Sequence, residues 1–397
     1  MHERMHWGMT DGTGLKNRGH TQADVDERRA AVAEYSGADL DTIAKCAIDP
    51  EKAAHNCENM IGSTQVPLGY AGPVKISGEY ANGEFIVPLA TTEGALIASI
   101  GRGMSVINAA GGSRTRVFGD YMTRAPVMRV RDLEHACQTI QWIDAHEDEI
   151  KAAVAGTTSH GKLAKIEKFP MGRGLYLRFS FETGDAMGMN MATIASEAAC
   201  RVIEEATGAV MVSVSGNMCS DKKAAAINMI EGRGKTVVAE ALIPADIVES
   251  KLHTTAASIV ETNVRKNLIG SSMAGTLGAN AHAANMVAAF YIATGQDPAQ
   301  VIGGSLTLTD CEDVDGNLYI SVRMPAVELG TVGGGTGLPC QSEALNILGC
   351  KGAGKARKLA EILSVTVLAG ELSTLGAQAA GHLGKAHAEL GRGKKCQ

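Results

Sequence analysis

The chain has 397 residues, 45% of them apolar and 20% charged, with a net charge of −6. That length allows two or three domains and at least one large core, and the acidic balance excludes the basic excess that nucleic acids or anionic membranes select. Nine cysteines are scattered with no C-x-x-C pair, so neither a disulfide framework nor a zinc ribbon is indicated.

The N-terminal stretch has no apolar core of a signal peptide. No apolar run is uninterrupted enough to span a bilayer, since "ILSVTVLAGELSTLGAQAAGHL" carries Glu371, Gln378 and His382. A cytoplasmic protein is expected. "TQADVDERRAAVAEYSG" and "DLDTIAKCAI" read as helices of a small N-terminal helical domain, residues 1–52. From "ENMIGSTQVPLGYAGPVKI" the chain is rich in Gly and Pro, then strand-like in "EFIVPLA". "TTEGALIASIGRGMSVINAAGG" reads as a helix capped by Thr91 or Thr92, with Glu93 in its first turn.

Residues 126–214 have a pattern of their own. The strand "VMRV" leads into one amphipathic helix, "DLEHACQTIQWIDAHEDEIKAAVAG", and then two strands, "KLAKIEKF" and "LYLRFSF", joined by the turn "PMGRG". A helix from Asp185 closed by Gly208 and the strand "AVMVSVS" complete the order βαββαβ, that of a ferredoxin-like unit. It reads as an insertion into a large domain made of residues 53–125 and 215–397. Long small-residue helices such as "SSMAGTLGANAHAANMVAAFYIATG" make that domain mainly helical, built around one buried central helix, and the fold class α+β.

In "SVSGNMCSDKKAAAIN" two adjacent lysines, Lys222 and Lys223, stand among small and apolar residues, where a buried charge is expensive. No G-x-G-x-x-G fingerprint is present, so a standard dinucleotide fold is not supported. "GCKGAGKA" has the spacing of a phosphate loop but ends in Ala356 where a hydroxyl should ligate magnesium, so an ordinary loop is favoured. In "GDAMGMNMA", Asp185 can cap a helix whose first turn carries Met187, Gly188, Met189 and Asn190; a phosphate suits that end, and a Met-rich core helix start is the plainer reading. Asp297 of "GQDPAQ" reads first as the N-cap of the following turn. His382 and His387 are five apart, not the same-face spacing of a helical metal pair, so no metal is expected. The glycines of "GTVGGGTG" form a turn or lie against a cofactor.

Taken together, "VPLGYAGP", "TTEGALIAS", "GDAMGMNM", "VSGNMCSDKKAAAIN", "KNLIGSSMAG", "NAHAAN", "GQDPAQ" and "GTVGGGTGLPCQ" resemble the 3-hydroxy-3-methylglutaryl-CoA (HMG-CoA) reductase family, in family order from about Glu58 to His387. The wording is nearest the biosynthetic class, in a form without a membrane anchor. The resemblance implies a small N-terminal helical domain, a large domain around a central helix, and an inserted domain that binds NADPH. It also implies a homodimer or dimer-based tetramer with the active site at the subunit interface, and no metal, nucleic acid or membrane among its partners.

The implied reaction reduces HMG-CoA to mevalonate and CoA with two NADPH. By resemblance Lys222 stabilises the oxyanion, Glu93 supplies protons, Asp297 orients both, and His387 protonates the CoA thiolate. Arg124, Ser215, Asn217, Asp221, Lys223, Lys266 and Asn285 take substrate contacts. Asp185, Met187, Gly188, Met189 and Asn190 take the cofactor, with Gly333, Gly334 and Gly335 on its other side. In "TTSHGK", Ser159 and His160 replace an arginine that many relatives set against the 2'-phosphate, which leaves NADPH favoured over NADH but open. After His387, "AELGRG" lacks the phosphorylatable serine of the animal enzymes; by resemblance Arg392 is still expected to approach the cofactor. An NAD-dependent degradative enzyme and a non-catalytic CoA-thioester binding protein of the same fold are the alternatives.

Overall fold

The structure is a computed structural model that describes residues 19–158 and 160–381. Its first helix, α1 (Gln22–Ser36), starts at a capping box between Thr21 and Asp24 and ends at Gly37, whose φ of 68° suits glycine. The second expected helix shrinks to one turn, Asp41–Ala44, and Val25, Ala53 and Met60 form a small core of their own here.

The Gly- and Pro-rich segment is a strand, β1 (Leu68–Ser77), which pairs antiparallel with β2 (Asn82–Ala90). After α2 (Leu96–Ala109) comes β3 (Ser113–Arg124), whose two ends belong to different sheets. Residues Arg114–Tyr121 of β3 pair with β8 (Gly234–Ile243), and Met122–Arg124 pair with β6 (Gly174–Glu182).

Between them lie β4 (Val127–Arg129), α3 (Leu133–Ala145), α4 (Glu147–Ala155), β5 (Lys162–Met171), β6, α5 (Met189–Thr207) and β7 (Val210–Ser213). The expected single helix is broken at His146, where φ is −121° and ψ is 28°. The strands run β7-β4-β6, with β5 on the far side of β6, all antiparallel. Phe179, Phe181, Ile143, Ile203 and their neighbours form a hydrophobic cluster separate from the main one.

The large unit is less helical than its Ala-rich sequence suggests. The run "SSMAGTLGANAHAANMVAAFYIATG" is helical only at Ser271–Ala274 and in α6 (Ala283–Thr294), because Gly275 takes φ 70° and Gly278 φ 88° between them. Its frame is a sheet in which β8 is flanked by β3 and by β10 (Asn317–Val327), with β9 (Leu308–Val314) at the edge. Against this sheet lies α7 (Ala356–Ala379), every residue of which from 359 to 373 is buried. A helix apolar on all sides is a core helix. By length and composition α7 would cross a membrane, yet 94% of its apolar window is buried within the protein. Helix α2 approaches it so closely that a side chain at Gly103 would strike the Ala369 carbonyl.

Two carboxylates break the apolar surface of α7, and each holds a loop. Glu361 accepts from the backbone N–H groups of Glu79, Tyr80 and Ala81 at 3.0, 2.9 and 2.6 Å. Glu371 accepts from those of Ala281 and His282 at 2.7 and 2.9 Å and from Thr309 Oγ1 at 2.8 Å. Buried carboxylates of this kind are tolerated because several donors replace the lost water.

Candidate active site

The segment from Ser215 to Ala225 leads from β7 back towards β8 on a strained backbone. Asn217, Ser220 and Lys222 have φ of 65°, 52° and 56°, and Ala95, beside Glu93, has 70°; these are four of the seven positive-φ non-glycine residues among those described. Left-handed non-glycine residues cost on the order of 1 kcal/mol or more each and persist only where neighbours hold them.

Those neighbours are visible. Asp221 Oδ1 accepts from Arg233 Nη2 and Gln300 Nε2, both at 3.0 Å, and Oδ2 lies 3.9 Å from Arg124 Nη1 at the end of β3. Burial works to raise the Asp221 pKa, but the Gln300 hydrogen bond and the charges of Arg233, Lys222 and Arg124 outweigh it and hold the carboxyl below its usual 3.8. Lys222 Nζ sits 2.9 Å from Asp297 Oδ2, and that hydrogen bond raises the lysine pKa against a smaller desolvation effect. Asp297 also caps the turn Pro298–Gln300 through Ala299 N at 3.0 Å, so the structural and the ionic roles coexist in one carboxylate.

The expectation that Lys222 and Lys223 are buried charges is overturned. Both are exposed, because the left-handed turns throw the loop to the surface, and Lys223 Nζ donates to the Asp221 carbonyl at 3.1 Å. Ser215 is half-buried with Oγ 3.4 Å from Cys219 Sγ, and Asn217 is exposed.

Glu93 belongs to a second cluster. Its helix starts only at Leu96, after left-handed Ala95, so Glu93 lies in the preceding loop and neither Thr91 nor Thr92 caps α2; Thr91 Oγ1 instead accepts from Glu93 N at 3.0 Å. Asn285 Nδ2, in the first turn of α6, donates to Glu93 Oε1 at 3.2 Å. Both line a cleft of about 340 Å³ with Ser99, Arg102, His282 and Thr374. His282 Nε2 is 2.6 Å from Thr374 Oγ1. Arg102 donates from Nε to Ser373 Oγ at 3.0 Å and from Nη2 to the Ser373 carbonyl at 2.5 Å, has no carboxylate partner among the described residues, and has its pKa lowered by burial. Sequence reasoning missed this cation, although Ser99 and Arg102 are spaced i, i+3 on one helix face. Among the described residues no hydrogen bond or ion pair joins Glu93 to Lys222 or Asp297. Lys266 stands apart from both clusters, on the π-helix Asn263–Gly270, and donates to Asn267 Oδ1 at 3.1 Å.

On the third side, two distant stretches of sequence meet: Thr331 N donates to the Asp185 carbonyl at 2.8 Å, bringing the glycine run 333–335 beside residues 185–190. The Asp185 side chain does not cap α5, whose N-cap is Gly188 with φ 93° and no side-chain hydrogen bond. It caps α7 instead, accepting from Gly354, Lys355 and Ala356 N at 2.6, 2.9 and 3.0 Å. Burial raises its pKa, but these N–H groups outweigh it and leave the carboxyl below 3.8. The same bonds occupy the "GCKGAGKA" loop. The end of α5 remains open to an anion, with Met187 and Met189 half-buried, Asn190 exposed, and Thr158 Oγ1 3.3 Å from Met191 Sδ. His160 is exposed, as are Gly333 and Gly334, while Gly335 is half-buried. Ser159, His382, His387 and Arg392 lie outside the described residues.

An ammonium held by a carboxylate, a second carboxylate over a cleft and an uncapped helix end make this an α+β enzyme suited to proton transfer beside a bound anion. Residues 24–392 match the hydroxymethylglutaryl-coenzyme A reductase profile, and the chain belongs to that family of oxidoreductases. It is 50% identical to the 3-hydroxy-3-methylglutaryl-coenzyme A reductase of Haloferax volcanii, over 97% of this chain and 100% of that protein. It is 51% identical to that of Methanothermobacter thermautotrophicus, over 93% and 94%. In fold it is similar to the class II enzyme of Streptococcus pneumoniae bound to NADPH in open conformations, with a TM-score of 0.68 and 20% identity over 92% of this chain and 84% of that one.

Proposed function

We propose that this protein reduces HMG-CoA to mevalonate and CoA with two NADPH per turnover, as a cytoplasmic enzyme of the mevalonate pathway. The observation that carries the reading is the Lys222–Asp297 pair at 2.9 Å on a strained loop. Bound at the open end of α5, the nicotinamide supplies hydride. Lys222 faces the thioester carbonyl, where a fixed ammonium lowers the energy of the forming oxyanion by a few kcal/mol. Asp297 fixes that ammonium. Glu93 supplies the proton to the reduced carbonyl, and His387 protonates the departing thiolate. Arg124, Ser215, Asn217, Asp221, Lys223, Lys266 and Asn285 hold the acyl group, whose carboxylate accounts for the cationic excess.

Residues 1–52 form the N-terminal domain, 126–214 the ferredoxin-like nicotinamide domain, and 53–125 with 215–397 the substrate-binding and dimerisation domain. The nicotinamide domain offers Met187, Gly188, Met189 and Asn190 to the pyrophosphate and Ser159 and His160 to the 2'-phosphate, while the large domain sets Gly333–Gly335 on the cofactor's other side; Asp185 shapes this site from behind. Among the described residues no hydrogen bond or ion pair joins Glu93 to Lys222, which supports an active site completed by a second copy, in a homodimer or a dimer-based tetramer. The exposed apolar side chains of Val264, Leu268, Ile269 and Met273 support the same assembly.

The test is stoichiometric. Purified protein is given HMG-CoA with excess NADPH, and nicotinamide oxidised is counted against CoA released and mevalonate formed. Two NADPH per CoA are expected; one NADPH per CoA, or no mevalonate, refutes the reading. NADH in parallel tests the Ser159–His160 departure. K222M should abolish turnover while HMG-CoA still binds.

A further inference from the structure

Beneath the Lys222 loop lies a buried cation that reaches several parts of the site at once. The Arg233 side chain is wholly inaccessible. Its Nη1 donates to Glu328 Oε1 at 2.8 Å and to Gln300 Oε1 at 3.1 Å. Its Nη2 donates to Asp221 Oδ1 at 3.0 Å and lies 2.9 Å from Met189 Sδ. These partners come from four separate segments: the loop before Lys222, the turn that Asp297 caps, the end of β10, and the first turn of α5.

The arrangement grips the loop at adjacent residues, Lys222 through Asp297 and Asp221 through Gln300 and Arg233. Asp221 uses Oδ1 for both buried donors and turns Oδ2 towards Arg124. A guanidinium is a rigid planar fork, so it cannot move towards one partner without changing its geometry to the others. The Arg233 and Glu328 side chains are enclosed, so at that end of the fork such a change is not relieved by solvent. Any displacement of the start of α5 is therefore transmitted through Met189 and Arg233 to the carboxylate next to Lys222.

We propose that Arg233 is a positioning residue that couples the nicotinamide side of the site to the thioester side, so that the two ligands bind cooperatively. The proposal rests on the assignment of those two sides made above. Neither contact of Arg233 with Asp221 or Met189 puts it on substrate or cofactor. Its effect is exerted through the position of the Lys222 loop.

NADP⁺ and HMG-CoA test this directly, because the pair has no hydride to transfer and cannot turn over. Calorimetric titration of NADP⁺ with and without saturating HMG-CoA gives a coupling factor, the ratio of the two dissociation constants. For the unaltered protein a factor of about five or more is expected. R233K keeps the buried charge but cannot fork, and should bring the factor to within about twofold of one, whatever happens to either affinity alone. E328Q preserves volume, loosens one end of the fork and should lower the factor part of the way. It decides the matter if R233K does not fold. A factor of one in the unaltered protein, or an unchanged factor in folded R233K or E328Q, overturns the coupling while leaving the reductase reading intact. Failure of the unaltered protein to bind either ligand overturns both.

Discussion

Asp185 offers a test of which residues near the start of α5 are scaffold. Its carboxylate accepts three backbone N–H groups at the start of α7, at 2.6, 2.9 and 3.0 Å. D185A removes all three acceptors. Hydrogen bonds to a charged group contribute about 1.5–3 kcal/mol each when buried, but Gly354 and Lys355 are exposed and water will replace much of what is lost. A helix cap is worth about 1 kcal/mol, and a carboxylate on the helix dipole adds about 0.3–1 kcal/mol. With the buried Ala356 N–H left partly unpaired, the total is on the order of 3 kcal/mol. D185N keeps one acceptor oxygen and should lose on the order of 1 kcal/mol. Urea unfolding followed by circular dichroism, at fixed protein concentration, measures both. The folded pKa is depressed, so the charge contributes fully above the unfolded value of 3.8 and its contribution is lost as pH falls through the lower folded value. The gap between D185N and the unaltered protein should therefore narrow below that pH. A D185A variant within about 0.5 kcal/mol of the unaltered protein would refute the capping role.

E371Q replaces one carboxylate oxygen by an amide NH2, which faces either His282 N or the pair Ala281 N and Thr309 Oγ1, and should cost about 2–3 kcal/mol in denaturant unfolding. Turnover should also fall, because that segment leads to Asn285 and hence to Glu93. G188A adds a Cβ that strikes the Thr183 methyl at a φ of 93°, and should weaken NADPH binding by about tenfold in titration, with a stability loss of about 1 kcal/mol or more. Burial pushes the Glu328 carboxyl up to about 7 against the opposing charge of Arg233. A raised pKa means that its contribution is full below the unfolded value of 4.5 and declines as pH rises through about 7, a decline that E328Q should flatten in pH-dependent melting curves.

Local pattern carried much of the reading. The strand and helix order from Val127 to Ser213 was legible because each element has its own period and its own stop, such as Gly208. The break at His146 was not, since the apolar stripe continues through it. The strands that frame the large unit, such as "GKTVVAEALI", were not legible in its Ala- and Gly-rich sequence, because they are set by their sheet neighbours and not by their composition. Lys222 and Asp297 were named from motifs, but their pairing joins positions far apart in the chain. Asp185 shows the limit most plainly. Its place before a glycine-started helix pointed to α5, and only the tertiary fold turns its carboxylate to α7. Arg233 and Glu328 left no signal, because "EGRGK" and "VELG" look like ordinary surface sequence.

Strand β3 has a consequence for engineering. Its last three residues pair with Phe181, Ser180 and Phe179, and Gly216 N donates to the Ala125 carbonyl at 2.6 Å where the chain returns. The unit from 126 to 214 is therefore not a cassette. Cutting it out would expose the end of a strand that still runs through the large sheet and would release Arg124 from its place near Asp221. A foreign unit grafted at these joints would have to bring a strand edge of the same register, or the end of β3 and Arg124 upon it would lose their support.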